Sequence, residues 1–304
     1  MTFSTRFSIV VPTFNSESTL PNALNSLRRA KEGMDVEVIV VDGVSADATL
    51  DVVRKYSDLV TTVISEPDSG IYDAINKGLL KTQGDLICVL GSDDALVDES
   101  LPLIAKAWED ARYPEIVAGR ALMVSPDGEC EYRADEDYDE GALLSGIPFC
   151  HNAMFVTPEA YDKVGLYDLT YKICADAQWV HRAIRAGCKC VRIDQPVVRF
   201  SLGGTSSREA ERIMQETYSV ISRNFEGMGV GDAELLFRAI RGWSDGSDVH
   251  EVLSRFSSRP DILFSASMAF LGRARRQNIR VQDSKSSVAY SWRNIVRRLF
   301  DVFV

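Results

Sequence analysis

Residues 36–41, Val-Glu-Val-Ile-Val-Val, form an almost uninterrupted apolar run that ends at Asp42. Such a run is typical of a strand that is buried on both faces, as in a parallel sheet. Further apolar runs alternate with helical patterns on either side of it. The predicted strands cover residues 7–12, 36–41, 59–64 and 85–90, and the predicted helices cover residues 17–31, 46–56 and 70–82. This alternation predicts a doubly wound, mostly parallel α/β sheet.

Polar side chains follow each of the four predicted strands. The stretches are Pro12-Thr-Phe-Asn15, Asp42-Gly-Val-Ser-Ala-Asp47, Glu66-Pro-Asp-Ser-Gly70 and Gly91-Ser-Asp-Asp94. Ligands of doubly wound sheets bind at the carboxyl ends of the strands. Carboxylates and amides there suit the base and ribose of a nucleotide together with a divalent cation. The glycine-rich turn that a dinucleotide requires is missing.

The second half of the chain shows a mixed pattern. Predicted strands at residues 116–124, 129–133, 152–157 and 197–201 accompany a helix at 175–186, and the pattern is all helical after Ser207. The acidic run Asp135–Glu140 is predicted to be a solvated loop.

The composition excludes several classes of protein. The 304 residues carry a net charge of −10, which disfavours nucleic-acid binding because phosphates require a basic surface. No stretch resembles a signal peptide or a membrane-spanning helix. Six cysteines without a CxxC pair favour reduced, mostly buried thiols and no zinc site, so we expect a cytoplasmic protein.

The end of the chain differs from the acidic body. Residues 270–304 contain eight basic and two acidic residues. Residues 288–304 place Trp292 and Phe300 on the apolar side of a helical pattern, with arginines on or near the other side. This pattern fits a helix at the inner face of the cell membrane, a helix docked on the core, or a surface for a partner protein.

Asp93 and Asp94 are the sharpest chemical feature of the sequence. Two adjacent carboxylates at a sheet edge repel each other, and a divalent cation such as Mg²⁺ or Mn²⁺ would relieve that repulsion. The dipeptide taken alone also fits a solvated turn before a helix. The motifs around Asp93 and Asp94 are needed to choose between a cation site and a solvated turn.

Four motifs occur in order, with matching spacing: Ser8–Asn15, Val40–Thr49, Ser65–Gly78 and Gly84–Asp94. Three more segments follow, Cys150–Val156, Gly165–Asp168 and Cys174–Arg182. Together they resemble the family 2 glycosyltransferases, which have the Rossmann-like GT-A fold, over roughly residues 7–206. The resemblance implies a GT-A domain at 1–206, with a nucleotide-binding half (1–98) and a mixed acceptor half (99–206), followed by a helical C-terminal region at 207–304.

The resemblance also implies roles for matching residues. It places nucleotide-binding residues at Pro12, Thr13, Asn15, Glu17, Asp42, Asp73, Lys77 and Asp93. It places a metal ion, Mn²⁺ or Mg²⁺, at Asp94. Gly91 departs from the family pattern, in which Asp or Asn often stands there, so the ligand set of the metal stays open.

The acceptor half carries the remaining expected roles. Asp176 matches the family's catalytic base, although a carboxylate in the first turn of a helix also has a structural explanation. Sugar-contacting positions are expected at His151, Asn152, Gly204 and Thr205. A structural histidine at 151 explains the sequence equally well.

The resulting expectation is an inverting, metal-dependent, non-processive glycosyltransferase. It would move one sugar from a nucleoside-diphosphate sugar, most often UDP-linked in relatives, to a hydroxyl of a saccharide or lipid-linked acceptor in surface-polysaccharide assembly. The rival interpretations are a nucleotidyltransferase that makes nucleotide sugars and a non-catalytic binding protein with the same fold. Because Asp94 and Asp176 are both present, the catalytic interpretation is favoured over the last.

Overall fold

The computed structural model describes residues 5–125, 127–128, 130–133, 135–204, 209–243 and 246–282. The chain forms two compact units. The first comprises Met1–Asp135 and Phe149–Ala210, and the second comprises Glu136–Pro148 and Glu211–Val304. Residues 136–148 therefore belong to the second unit, although the sequence analysis places them within a continuous first domain.

The described strands of the first unit form a single sheet. They are β1 (Arg6–Thr13), β2 (Asp35–Asp42), β3 (Thr62–Ser65), β4 (Leu86–Val89), β5 (Ala95–Leu96), β6 (Ile116–Val124), β7 (Cys130–Tyr132), β8 (Met154–Val156) and β9 (Cys190–Ser201). The order is β3-β2-β1-β4-β8-β6-β9-β5, with β7 paired to β6. The predicted parallel half is confirmed, because β1 pairs in parallel with β2 and β4, and β2 with β3.

The other half of the sheet is mixed, as expected. Strand β8 lies between β4 and β6 and runs antiparallel to both, while β6 and β9 are parallel. The helices of this unit are α1 (Leu20–Ala30), α2 (Thr49–Lys55), α3 (Ile71–Leu79), α4 (Ser100–Asp110), α5 (Pro158–Val164) and α6 (Ala175–Arg185). A short 3₁₀ turn, His151–Ala153, leads directly into β8.

The strands form because nearly every side chain in β1, β2 and β4 is buried in the core. The register brings their ends to one edge, since Thr13 pairs with Asp42 and Asp42 pairs with Ser65. Val10 pairs with Val89, so the loop after β4 emerges at the same edge. The polar stretches recognised in the sequence therefore meet at one end of the sheet.

The second unit is helical. Its helices are α7 (Ala210–Asn224), α8 (Val230–Arg241), α9 (Gly246–Arg255) and α10 (Pro260–Gln282), together with a 3₁₀ turn at Glu140–Leu144. The Asn224 side chain donates a hydrogen bond of 2.8 Å to the Leu143 carbonyl. No helix among the described residues is long and apolar enough to cross a membrane. The predicted amphipathic helix at 288–304 lies outside the described residues.

The acidic run is not simply a solvated loop. The Asp135 side chain is only 6% exposed and pairs with Arg133 at 2.9 Å and with Arg192 at 3.0 Å. The prediction is therefore wrong at this residue, because a neighbouring arginine and a distant one, Arg192, neutralise its charge. The cysteine prediction is confirmed, since all six thiols are free and four are buried.

Candidate active site

The end of β2 carries a fully buried carboxylate. Asp42 accepts hydrogen bonds from the hydroxyls of Ser45 (2.5 Å) and Ser65 (2.7 Å) and from the backbone N–H groups of Val44 (3.1 Å) and Ser45. These donors occupy both carboxylate oxygens. In this conformation Asp42 orders the loop after β2, and its expected contact to a nucleotide base stays a prediction.

The loop after β1 is fastened to the loop after β2. Asn15 Oδ1 accepts the Ala46 N–H at 2.9 Å, and Glu17 Oε2 accepts the Ala48 N–H at 2.8 Å. Both side chains belong to exposed residues at the sheet edge. They therefore order the wall of the expected nucleotide site.

Thr13 lies at the carboxyl end of β1, on the same edge of the sheet. Pro12 and Thr13 are the last two residues of β1, and both are buried. The Thr13 hydroxyl is buried and has no hydrogen-bond partner among the described residues. An unpaired buried hydroxyl costs stability, and such groups mark places where a ligand or water supplies the missing bond.

Helix α3 contributes the charged residues of the expected diphosphate region. Lys77 Nζ lies 3.1 Å from Glu66 Oε1 and 3.7 Å from Asp73 Oδ2, and it donates to the Pro67 carbonyl at 2.7 Å. Burial lowers the pKa of Lys77, but the hydrogen bond to Glu66 and the charge of Asp73 outweigh it and raise that pKa overall. Lys77 is therefore a cation that carboxylates already hold in place.

Asp93 and Asp94 lie in the loop after β4. The Asp94 side chain is buried and accepts the Ser201 N–H at 2.8 Å and a hydrogen bond from the Asn152 side-chain amide. Ser201 also donates its hydroxyl to the Asp93 carbonyl at 2.6 Å. Neither carboxylate forms a salt bridge within the described part of the chain.

The absence of a cationic partner is accompanied by raised pKa values of both carboxyl groups. Burial and the neighbouring charge of Asp93 raise the pKa of Asp94 to about 7, although the Ser201 and Asn152 donors oppose the change. Burial also raises the pKa of Asp93. Two close carboxylates that resist ionisation together are the environment that a cation would stabilise.

Two glycines make room for these carboxylates. A Cβ atom on Gly91 would lie 2.5 Å from Asp94 Oδ2 and 3.0 Å from Asp93 Oδ1. A Cβ atom on Gly204 would lie 2.9 Å from Asp93 Oδ2, so the loop after β9 passes directly over Asp93. The absence of a side chain at Gly91 thus leaves room for both carboxylates. Thr205 lies outside the described residues.

The donor set fits a divalent cation that is shared with a substrate. Among the described residues, no three His, Cys, Asp or Glu side chains gather as a metal site made by protein alone. Mg²⁺ and Mn²⁺ are commonly held by one or two carboxylates with substrate phosphates and water completing the shell. Asp94 and Asp93 would supply those carboxylates here.

Asp176 lies in the first turn of α6 and is partly exposed. Burial lowers the pKa of His151, and the charge of Asp176 opposes that shift, so the two side chains lie within electrostatic reach. His151 Nε2 lies 2.7 Å from the Tyr167 hydroxyl. Asp176 therefore lies near the hydrogen-bonded pair of His151 and Tyr167.

Two consecutive residues connect the halves of the site. Asn152 bonds Asp94, while His151 lies in the field of Asp176. Sugar contacts are expected at both positions from the sequence, whereas the bond to Asp94 is visible only in the structure. Ser201 was also missed, because its contribution is a backbone N–H that no side-chain pattern reveals.

Residues 8–156 match the family described as "Glycosyl transferase family 2". A "PGL/p-HBAD biosynthesis glycosyltransferase" of Mycobacterium tuberculosis is 32% identical over 174 residues, which cover 56% of this chain and 66% of that protein. The match thus spans just under two thirds of the relative's length.

Solved structures show the same fold. Staphylococcus aureus TarS 1-349, in complex with UDP-GlcNAc, matches 97% of this chain and 92% of its own with a TM-score of 0.57 and 18% identity. A mannosyltransferase from Pyrobaculum calidifontis, in complex with GDP-Man and Mn²⁺, matches 99% of this chain and 86% of its own with a TM-score of 0.53 and 15% identity. The predicted GT-A architecture is confirmed. Residues 8–156 therefore match the glycosyl transferase family 2 model, and the chain has a GT-A fold.

Proposed function

We propose that the chain is an inverting, metal-dependent glycosyltransferase that moves one sugar from a nucleoside-diphosphate sugar to a hydroxyl group. The observation that carries the proposal is the pair of half-buried Asp93 and buried Asp94, which has no cationic partner among the described residues. A hydrogen bond of 2.9 Å between the Ser92 and Ser16 hydroxyls joins its loop to the loop after β1. The carboxylates and the expected nucleotide wall thus belong to one edge.

The donor would bind along that edge. The unpaired Thr13 hydroxyl offers a polar contact at its base, and Lys77 offers positive charge beside the diphosphate. A bound Mn²⁺ or Mg²⁺ on Asp94 and Asp93 would neutralise phosphate charge as the diphosphate departs. UDP is the proposed nucleotide, supported by the UDP-GlcNAc complex of TarS.

The acceptor would enter on the side of Asp176. Its hydroxyl oxygen attacks the anomeric carbon while the Asp176 carboxylate takes the hydroxyl proton. The new carbon–oxygen bond forms as the bond to the diphosphate oxygen breaks, and the nucleoside diphosphate leaves with the electron pair. A single displacement of this kind inverts the anomeric centre, and no carboxylate nucleophile is needed.

We propose a saccharide or lipid-linked acceptor at a membrane surface. The acceptor class is supported by the names of two relatives, a "PGL/p-HBAD biosynthesis glycosyltransferase" and a "Poly(ribitol-phosphate) beta-N-acetylglucosaminyltransferase". Residues 288–304 would supply peripheral membrane contact. Cosedimentation with anionic vesicles tests this, because truncation after Ser284 should abolish binding and retained binding would contradict the anchoring role.

The first experiment is a thermal-shift panel of UDP, GDP, dTDP and CMP, each with and without Mn²⁺. A ligand that binds only the folded state raises the melting temperature. We expect stabilisation by UDP that depends on Mn²⁺ and is lost in Asp94→Asn. UDP release from UDP-sugars, also in the presence of Mn²⁺, then tests catalysis.

Two outcomes would contradict the proposal. No shift with any nucleotide, from a protein that circular dichroism shows to be folded, would indicate a non-catalytic binding protein. Consumption of a nucleoside triphosphate together with a sugar phosphate would instead indicate a nucleotidyltransferase.

A further inference from the structure

Helix α3 makes contacts along two adjacent sides of its surface, here called its two edges. Asp73 and Lys77, four residues apart, face the loop at residues 66–69 on the donor side. Tyr72 and Asn76 have the same spacing and lie on the neighbouring edge, where both are buried. This second edge contacts a segment of the chain almost 100 residues away.

Asn76 forms a two-point connection to that segment. Its Nδ2 donates to the Tyr167 carbonyl at 2.9 Å, and its Oδ1 accepts the Tyr167 N–H at 3.0 Å. Both bonds are buried, so an amide of this shape fixes the backbone of Tyr167 in direction as well as in distance. Removing either the Nδ2 donor or the Oδ1 acceptor of Asn76 would leave a buried backbone group of Tyr167 unpaired.

Tyr72 holds the other end of the same segment. Its hydroxyl donates to the carbonyl of Ile173, and its ring packs on the Tyr167 ring with centroids 5.6 Å apart. Ile173 directly precedes Cys174, the N-cap residue of helix α6. Lys172 adds an exposed hydrogen bond of 3.0 Å to the Ser69 carbonyl.

The segment leads into the helix that carries Asp176. Asp176 lies in the first turn of α6, so its position depends on how residues 167–173 are held. It also depends on Tyr72 directly, since burial and the nearby charge of Asp176 raise the pKa of the Tyr72 hydroxyl. We propose that Tyr72 and Asn76 are positioning residues that hold this segment and thereby place Asp176 against the acceptor hydroxyl. The inference rests on the proposed function of Asp176 as the base.

The expected size of the effect follows from the geometry of proton transfer. A general base must lie within hydrogen-bond distance of the proton it takes, and a displacement of about 1 Å can cost a factor of about 100 in rate. We expect Tyr72→Phe to lower kcat about 10- to 100-fold and to leave the KM for the donor within twofold. Asn76→Asp, which keeps the acceptor atom and loses the donor, should act in the same direction.

A double-mutant cycle with Asp176 separates positioning from general damage. The probe is the nucleotide sugar that the wild type hydrolyses fastest among UDP-glucose, UDP-GlcNAc, UDP-galactose and GDP-mannose, with water in place of the acceptor. Tyr72→Phe should cost tenfold or more in the wild-type background and less than twofold in Asp176→Asn. Equal losses in both backgrounds would overturn the proposal.

Tyr56→Phe is the matched control. The Tyr56 hydroxyl also donates to a backbone carbonyl, that of Pro21 at 3.4 Å, but away from α3 and α6. It should leave kcat and KM unchanged. If Asp176→Asn itself keeps the wild-type rate, the assignment of the base fails, which is a separate result from the failure of positioning.

Hydrogen exchange supplies a readout that needs no turnover. Amides of residues 167–177 should exchange faster in Tyr72→Phe than in the wild type and stay unchanged in Tyr56→Phe. This measurement decides the question if the rate of Asp176→Asn falls below detection. Unchanged exchange at 167–177 in Tyr72→Phe would overturn the proposal.

Discussion

Asn152 donates a side-chain hydrogen bond to Asp94, a residue that precedes it by 58 positions in the chain. The bond spans from the 3₁₀ turn before β8 to the loop after β4, which are neighbours because β8 pairs with β4. It stabilises the ionised form of Asp94 inside a buried site. The chemistry expected of Asp94 therefore depends on a residue from the other half of the sheet.

Removing that donor should change how Mn²⁺ competes with protons. Metal binding requires the ionised carboxylate, so binding weakens as pH falls through the pKa of Asp94, which is about 7. Asn152→Ala removes a group that lowers this pKa, so the pH at which Mn²⁺ binding is half-maximal should rise. Calorimetric titration of Mn²⁺ with UDP between pH 6 and 9 measures the change. Asn25→Ala, at an exposed position of α1, serves as the control, and an identical pH profile for Asn152→Ala would contradict the prediction.

The same carboxylate should make the metal-free protein less stable as the pH rises. Asp94 has a folded-state pKa of about 7, above the value of about 3.9 expected for an unfolded chain. Ionisation is thus harder in the folded state, and the resulting loss of stability begins near pH 4 and is complete above pH 7. Asp94→Asn removes this loss, and its stability relative to the wild type should be about 2–3 kcal/mol greater at pH 8 than at pH 5. Urea unfolding in EDTA at both pH values tests it, and a difference independent of pH would refute it.

Gly91 should tolerate no side chain. The Cβ of alanine would lie 2.5 Å from Asp94 Oδ2, closer than atoms pack, so the buried carboxylate must move. We expect Gly91→Ala to lose about 1–3 kcal/mol of unfolding free energy and at least tenfold in affinity for UDP with Mn²⁺. Gly231→Ala is the control, because a Cβ there meets no atom within 4 Å. Wild-type affinity in Gly91→Ala would show that the loop adapts freely.

The ion pair of Asp135 should contribute far more to stability than an exposed pair. Asp135→Ala leaves Arg133 and Arg192 without the carboxylate that both contact, and Asp135 is only 6% exposed. We expect a loss of about 3 kcal/mol in unfolding free energy. Asp58→Ala breaks an exposed pair with Arg28, in which Asp58 is 69% exposed, and should cost less than about 1 kcal/mol. Similar losses in the two variants would contradict this assignment.

The edge of the sheet could be predicted because its signals are local. An apolar run in the sequence predicts each of these strands. Parallel pairing then brings the carboxyl ends of the strands together, as the pairing of Thr13 with Asp42 shows. The family motifs then identify the fold. The same local logic explains why helix α6, which carries Asp176 in its first turn, was predicted at the correct place.

The contacts that complete the site could not be predicted in this way. The bonds from Asn152 and Ser201 to Asp94 depend on antiparallel pairing between segments far apart in sequence. The error at Asp135 has the same origin, because Arg192 lies 57 residues away. A charge run shows which residues are ionisable, but their burial is decided by partners that the run does not contain.

The position of β8 also bears on how such enzymes can be recombined. Cys88 of β4 pairs with Phe155 of β8, and the Phe155 ring packs edge-on against Phe7 of β1, with centroids 5.9 Å apart. A strand from the second half of the domain is thus inserted into the sheet of the first half. Hybrids that take residues 1–98 from this chain and the remainder from a relative must therefore preserve this seam, and they will fail when the two parents differ in the residues that meet across it.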